Sequence, residues 1–319
     1  MKKAIYLILI FLISISITSC EFEIDFNDKL PKDKLVVTSF IEADSTIVLK
    51  ISKSARPGTY NYDYDITNSY VLNARAELFI NDILIETTNT PYDNNLYKFN
   101  YIPTQNDRIE IRISYMDFDT VIGYANPNIT PPIVNSQNIF IRKDSTEFGI
   151  YPNIYLEVEI QGGENDEYYR MDGDFVLKYK ENNIWFEEEV KIEGLSLEWE
   201  NTPGVYYSKE ASSTNPSDGE NNYRVFSNKL FKNKTYKARF KVNSQSIYLN
   251  EYIESESFKG ELKISKIEKQ IFDYLYTLNK VSSGFSFSAE PVIIINGVEN
   301  GFGFIGGKKT NRIVIDTSN

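Results

Sequence analysis

Asp63 and Asp65, in the run Tyr60-Asn61-Tyr62-Asp63-Tyr64-Asp65, stand two residues apart and point the same way wherever the backbone is extended. A carboxylate pair of this kind can hold Ca²⁺ through oxygen ligands, share acid and base duties in hydrolysis, or solvate a turn. Solvation is the favoured reading, so neither a metal nor a catalytic residue is expected. The interleaved Tyr60, Tyr62 and Tyr64 are candidate ligand contacts, because exposed phenol rings stack on sugars and peptides; cross-strand packing is the competing reading. Glu187-Glu188-Glu189 follows Trp185-Phe186 and reads as a solvated strand edge that discourages edge pairing. Gly301, Gly303, Gly306 and Gly307 lack the Gly-Lys-Ser/Thr run and the following helix of a phosphate-binding loop, so a tight bend between closing strands is expected there. Histidine is absent, which removes the usual general base near neutral pH and the commonest metal ligand. No enzyme and no cofactor are expected.

The one cysteine in 319 residues is Cys20. It closes the stretch MKKAIYLILIFLISISITSC, where Lys2 and Lys3 precede an apolar run from Ala4 to about Ile17 and then small polar residues. The run, about 14 residues, is shorter than the roughly 20 a helix needs to span a bilayer. Ile17-Thr18-Ser19-Cys20 resembles a bacterial lipobox, with an apolar residue three places ahead of the thiol and a small one just before it. Cys20 is therefore read as the acylated first residue of the mature chain, and 1–19 as a removed leader. A lone cysteine allows no disulfide within the chain, and more than one acyl chain gives durable attachment. Residues 20–33, with Glu21, Glu23, Asp25 and Asp28, form an acidic tether.

Formal net charge is -11, and loss of Lys2 and Lys3 leaves 32 basic against 45 acidic residues, or -13. Phosphate backbones need a cationic face, so nucleic acid is not an expected partner. The 23 Tyr and 20 Phe, with many Ile, Val and Thr, favour pleated strands over helices. Some 300 mature residues exceed what one sandwich needs. The expected fold is mainly β, with two tandem β-sandwich-type domains.

The first domain, 34–125, shows short period-2 segments between turn residues, about seven strands as in an immunoglobulin-like sandwich. Ile47, Leu49 and Ile51 share one face, as do Ile109, Ile111 and Ile113, and Asn81-Asp82 predicts a hairpin turn. Residues 126–134 hold Pro127, Pro131 and Pro132 and read as a linker. The second domain, 135–319, holds strands near 153–160, 174–180, 185–192 and 234–242 and a polar excursion at 201–222. One amphipathic helix is expected at 265–280, from Ile264, Ile267, Ile271, Leu275 and Leu278, with Ser265 and Glu268 as a capping box. After Pro291 a buried strand is expected over Val292 to Ile295.

Several of these landmarks occur in an order that resembles a Bacteroidota lipoprotein family catalogued as domain of unknown function 4249 (DUF4249). They are the lipobox with its acidic residues, Lys34-Leu35-Val36-Val37, Ile51-Ser52-Lys53-Ser54, Tyr168-Tyr169-Arg170, Phe231-Lys232-Asn233-Lys234, the Tyr274-Leu275 helix, Ala289-Glu290-Pro291 and Asn300-Gly301-Phe302-Gly303. Lys308-Lys309 departs from the small or aromatic residues expected there. The resemblance implies no catalytic residues. It implies an outer-membrane lipoprotein at the cell surface, beside a TonB-dependent β-barrel transporter, in an accessory or binding role. An independent glycan- or peptide-binding adhesin-like module is the alternative.

Overall fold

The computed structural model describes residues 33–54, 69–146, 149–181, 184–191, 224–242, 256–282 and 293–317. The protein is mainly β: fifteen strands and one α-helix run through the described residues. Seven strands come from the first half: β1 (Leu35–Ile41), β2 (Val48–Lys53), β3 (Arg75–Ile80), β4 (Ile83–Thr88), β5 (Leu96–Lys98), β6 (Ile109–Ser114) and β7 (Val121–Ala125). Their alternation works as expected. Ile47, Leu49 and Ile51 are fully buried, as are Ile109, Ile111 and Ile113, while Glu110 and Arg112 pair on the outer face of β6. Asn81 and Asp82 both adopt positive φ, 52° and 68°, the twist that lets a two-residue turn join β3 to β4.

The second half supplies β8 (Ile133–Thr146), β9 (Gly149–Gln161), β10 (Tyr168–Glu181), β11 (Ile184–Lys191), β12 (Val225–Ser227), β13 (Thr235–Val242), β14 (Glu256–Ile267), the helix α1 (Lys269–Ser282) and β15 (Phe302–Asp316). Glu187 and Glu189 stand exposed on β11, which ends its sheet, as a solvated edge should.

One eight-stranded sheet runs β11-β10-β14-β15-β1-β2-β5, with β12 also on β10. Its two ends are covered by different partners. The sheet β4-β3-β6-β7 closes a first core with β1, β2 and β5, around Val37, Leu49, Ile51, Leu78, Ile111 and Tyr97. The sheet β13-β9-β8 closes a second with β10, β14 and the end of β15, around Val158, Tyr169, Phe175, Phe258, Leu262 and Ile313.

The strand common to both is β15. Its first half pairs parallel with β1, from Val36↔Phe302 to Ile41↔Gly307, and its second half pairs antiparallel with β14, from Ile267↔Lys308 to Lys259↔Asp316. Ile305 sits fully buried in the first core, Ile313 and Ile315 in the second. The proline segment leads from β7 into β8, which begins at Ile133, and β15 crosses back beside it: Asn311 Nδ2 donates to the Pro132 carbonyl at 3.1 Å.

Three expectations are corrected. The helix begins at Lys269, not at residue 265, because β14 continues through Ile267 on both of its neighbours. Ser265 therefore pairs its hydroxyl with Thr310 at 3.0 Å, and the carbonyl of Glu268 accepts the first helical amides, those of Ile271 and Phe272. Only Gly301 lies in a bend, just ahead of β15; Gly303, Gly306 and Gly307 lie inside that strand. Gly303 has φ of 107°, and a Cβ there would stand 1.9 Å from the Val37 carbonyl, so the close parallel approach of β1 requires glycine. Finally, Ile293 to Asn296 form no strand, and Ile293 is 82% exposed. That segment instead runs along α1, with the Ile295 amide donating to Thr277 Oγ1 at 3.2 Å and Ile294 packed beside Tyr274 and Leu275.

Candidate functional site: a cationic cluster around Phe40

Cys20, Tyr60, Tyr62, Tyr64, Asp63 and Asp65 all lie outside the described residues, as do the leader and the excursion at 201–222. A cluster of cationic side chains among the described residues lies elsewhere, on the outer face of the shared sheet.

That face is set by register. Arg170 of β10 stands opposite Ser265 of β14, which stands opposite Thr310 of β15, so the three side chains share one row and one face. The next row is Asp172, Lys263 and Arg312. Toward β1 the same face carries Lys308, then Gly306, which pairs with Phe40. The helix α1 covers the apolar part of the face by packing Ile271, Tyr274 and Leu275 on Phe304. Phe304 meets Phe40 edge to face at 4.8 Å, fixing that ring at the border of the covered region.

Two cations reach the Phe40 ring. The Arg170 guanidinium lies 4.7 Å from its centroid and the Lys308 ammonium 5.4 Å. Small Ser265 and Thr310 between the strands leave room for both long side chains. A third cation comes from Arg224, just before β12, whose φ of 49° is left-handed and disfavoured for a residue with a Cβ. Asp172 accepts from Arg170 Nη2 at 3.1 Å and from Arg224 Nη1 at 3.4 Å. Glu42, the other nearby carboxylate, is occupied by β15: it accepts from the Thr310 amide at 3.1 Å and lies 3.8 Å from Lys309.

Farther along the face Lys263 pairs with Asp174 at 2.8 Å and Arg312 with Glu261 at 2.9 Å. Around Phe40, Arg170 and Arg224 both pair with Asp172, while Lys308 feels the charge of Glu42 first and of Asp172 second. Lys308 donates to no acceptor among the described residues, and Arg170 Nε is buried without one. Burial pushes the Lys308 ammonium below the usual lysine value; Glu42 and Asp172 oppose this, while Arg170 and Arg312 add to it. No nucleophile and base are placed together here. What the arrangement offers is a guanidinium and an ammonium on one aromatic ring, with Asp172 and Glu42 as the carboxylates beside them.

A second polar centre is structural. Glu268 accepts from the Gly307 amide at 2.6 Å, from Gln270 Nε2 at 3.0 Å and from the Asn126 amide at 3.3 Å. It ties α1, β15 and the proline segment together, and burial raises its carboxyl above the usual range despite these donors.

Neither Arg170 nor Lys308 was assigned a role by sequence reasoning, although both stood in segments it singled out. The alternation of β10 signals that Arg170 and Asp172 share a face. Nothing local signals Lys308, whose position depends on a pairing between residues some 265 apart.

The fold and this face define a double β-sandwich built on one shared sheet. The chain belongs to the family described as domain of unknown function (DUF4249), whose model matches residues 20–313. No curated protein matches it.

Proposed function

We propose that this chain is a cell-envelope lipoprotein. Acyl chains on Cys20 anchor it to the bacterial outer membrane, it is displayed at the cell surface, and it acts without catalysis as an accessory or binding subunit of a TonB-dependent β-barrel transporter. The observation that carries this reading is where the family match opens: at Cys20, the residue at which a lipoprotein leader is cut. The 14 residues from Cys20 to Asp33 separate that anchor from β1. Fully extended they reach at most about 50 Å, so the body stays within a transporter's reach of the bilayer. A surface suited to a protein partner is present on β4, which ends its sheet and exposes Ile83, Leu84 and Ile85 in succession.

Affinity-tagged protein isolated from native membranes in mild detergent should carry acyl chains on Cys20 by mass spectrometry and bring down a β-barrel transporter. An unmodified Cys20 would end the lipoprotein reading; acylated protein with no barrel partner would end the accessory role alone.

A second reading, an independent glycan- or peptide-binding module, is favoured by the other open edge. There β11 exposes Ile184, Trp185 and Phe186, with Lys178 5.6 Å over the Trp185 ring. On a glycan and peptide array, Trp185→Ala should abolish retention without moving the melting temperature. Equal retention by both proteins counts against that module.

A further inference from the structure

We propose that the end of the first sandwich at which the tether joins β1, with Leu72, Tyr92 and Met116 at its tips, rests on the lipid bilayer. This depends on the lipoprotein reading and not on the transporter partnership.

Register collects three loops at that end. Leu35, the first residue of β1, pairs with Lys53 at the close of β2. Tyr70 bridges to Ser52 beside it, and residues 71–74 cross from there to the other sheet, where Arg75 opens β3 opposite Ser114 of β6. Thr88, the last residue of β4, stands opposite Ala76. Asn300 Nδ2 closes the same end by donating to the Thr120 carbonyl at 3.1 Å. The crossover at 71–74, the β4–β5 connection and the β6–β7 turn therefore share the end at which the chain from Cys20 enters β1.

Each loop holds one apolar side chain away from the core: Leu72 is 51% exposed, Tyr92 57% and Met116 78%. None of the three loops is loose. The Tyr97 hydroxyl bonds the backbone on both sides of Leu72, at Val71 and Ala74. The Tyr92 amide donates to the Leu96 carbonyl at 2.9 Å, and the Phe118 amide to the Tyr115 carbonyl at 3.0 Å. The Tyr115 and Phe118 rings pack against the core, leaving Met116 outside. Met116 has φ of 44°, a conformation that glycine or asparagine adopts more cheaply and without exposing an apolar side chain. Neither packing nor solubility accounts for three such tips on one end.

The tether names the occupant. Acyl chains on Cys20 hold this end within 14 residues of lipid, so the contact forms at high local concentration and a shallow one suffices. Tyrosine suits the boundary between headgroups and acyl chains. The exposed Asp93, Asp117 and Asp119 lie beside the tips, against half-buried Lys34 and Lys53 and an Arg75 already paired with Glu77. The matching surface is therefore neutral lipid, met no deeper than those carboxylates allow.

Once Cys20 is acylated the chain has no other thiol, so Leu72→Cys, Met116→Cys and Ile83→Cys each give a single site for a polarity-sensitive dye. Ile83 is the control, 64% exposed but beside the β3–β4 turn at the opposite end. In phosphatidylcholine vesicles carrying nitroxide-labelled lipid, the acylated protein should show quenched dye at 72 and 116 and unquenched dye at 83. Adding Tyr92→Asp and Met116→Asp should cut the quenching at 72 by roughly fivefold, because an ionised carboxylate stays out of the apolar layer. Aspartate accepts the left-handed backbone at 116 at least as well as methionine, and an unchanged melting temperature shows that the variant is folded. Replacing part of the phosphatidylcholine with phosphatidylglycerol should weaken the quenching.

Absent quenching at 72 and 116, equal quenching at 83, quenching that persists in the aspartate variant, or quenching that rises with acidic lipid each overturns the proposal. An unmodified Cys20 by mass spectrometry ends the lipoprotein reading and this contact with it; acylated protein with unquenched tips ends the contact alone.

Discussion

The two cores of this protein are built from different materials. Among the described residues the first is mostly aliphatic, with Ile, Leu, Val and Ala largely on alternating strands, Tyr97 and Phe99 as its fully buried rings, and Tyr101, Tyr115 and Phe118 packed at its margin. Tyr97 acts as a pin, donating to the Val71 carbonyl at 2.8 Å and accepting from the Ala74 amide at 3.0 Å. The second core adds stacked rings to its aliphatic residues: Phe226 on Tyr169 at 5.1 Å, Phe231 on Tyr236 at 4.7 Å, and Phe175 on Phe258 at 4.8 Å. Branched aliphatic side chains fill a sandwich by repetition, each strand adding the same layer. Rings fill it by individual fit, so glycine must appear where a ring lies flat on the backbone. Gly260 of β14 is such a place, since a Cβ there would stand 2.4 Å from the Phe175 ring.

Truncation at the centre of the aromatic core should break this comparison hardest. Phe258→Ala should cost about 3–5 kcal/mol, and Ile111→Ala in the aliphatic core about 2–5 kcal/mol. Denaturant unfolding followed by circular dichroism measures both. If β15 couples the cores, each variant lowers a single transition, whereas two separated transitions would show the sandwiches to be independent.

The junction between the cores is sharpened by Glu268→Gln. One amide oxygen replaces a carboxylate that meets three donors, so at pH 5 the variant should lose about 1–3 kcal/mol. The pH sign follows from the raised carboxyl. Between the unfolded value near 4.5 and the higher folded value, the folded state holds the extra proton, so wild-type stability falls as pH rises through that window. The variant lacks this loss, and its deficit should shrink from pH 5 upward; a deficit that grows with pH would contradict the burial of this carboxyl. At the far edge of the aromatic half the effect is smallest. Glu187→Gln breaks an exposed pair with Lys178 and should change stability by less than about 1 kcal/mol in the same denaturant measurement.

The same contrast explains what could be read from the residues. Strands of the aliphatic half announced themselves: Ile109, Ile111 and Ile113 left no other face to bury, and positive φ at Asn81 and Asp82 was written in their side chains. In the aromatic half β14 escaped, because Gly260 interrupts the alternation of Phe258, Leu262 and Ile264, and Ile264 and Ile267 also fit a helical spacing. The helix was found but begun one strand-end too early. Of the cationic cluster, the strand expected at 174–180 stopped short of Arg170, which lies in the same strand, β10. That Lys308, Phe40 and Arg170 meet depends on a parallel pairing between the two ends of the chain, which no local pattern encodes.

That pairing has a consequence for how the polypeptide is made. Synthesis runs from the amino end, so β1 emerges long before residues 302–316, and until those arrive the aliphatic half lacks Ile305 while the aromatic half lacks Ile313 and Ile315. Neither core is complete until residues 302–316 have been made. Two halves that share so late a strand both stay open to chaperones and proteases until that strand arrives.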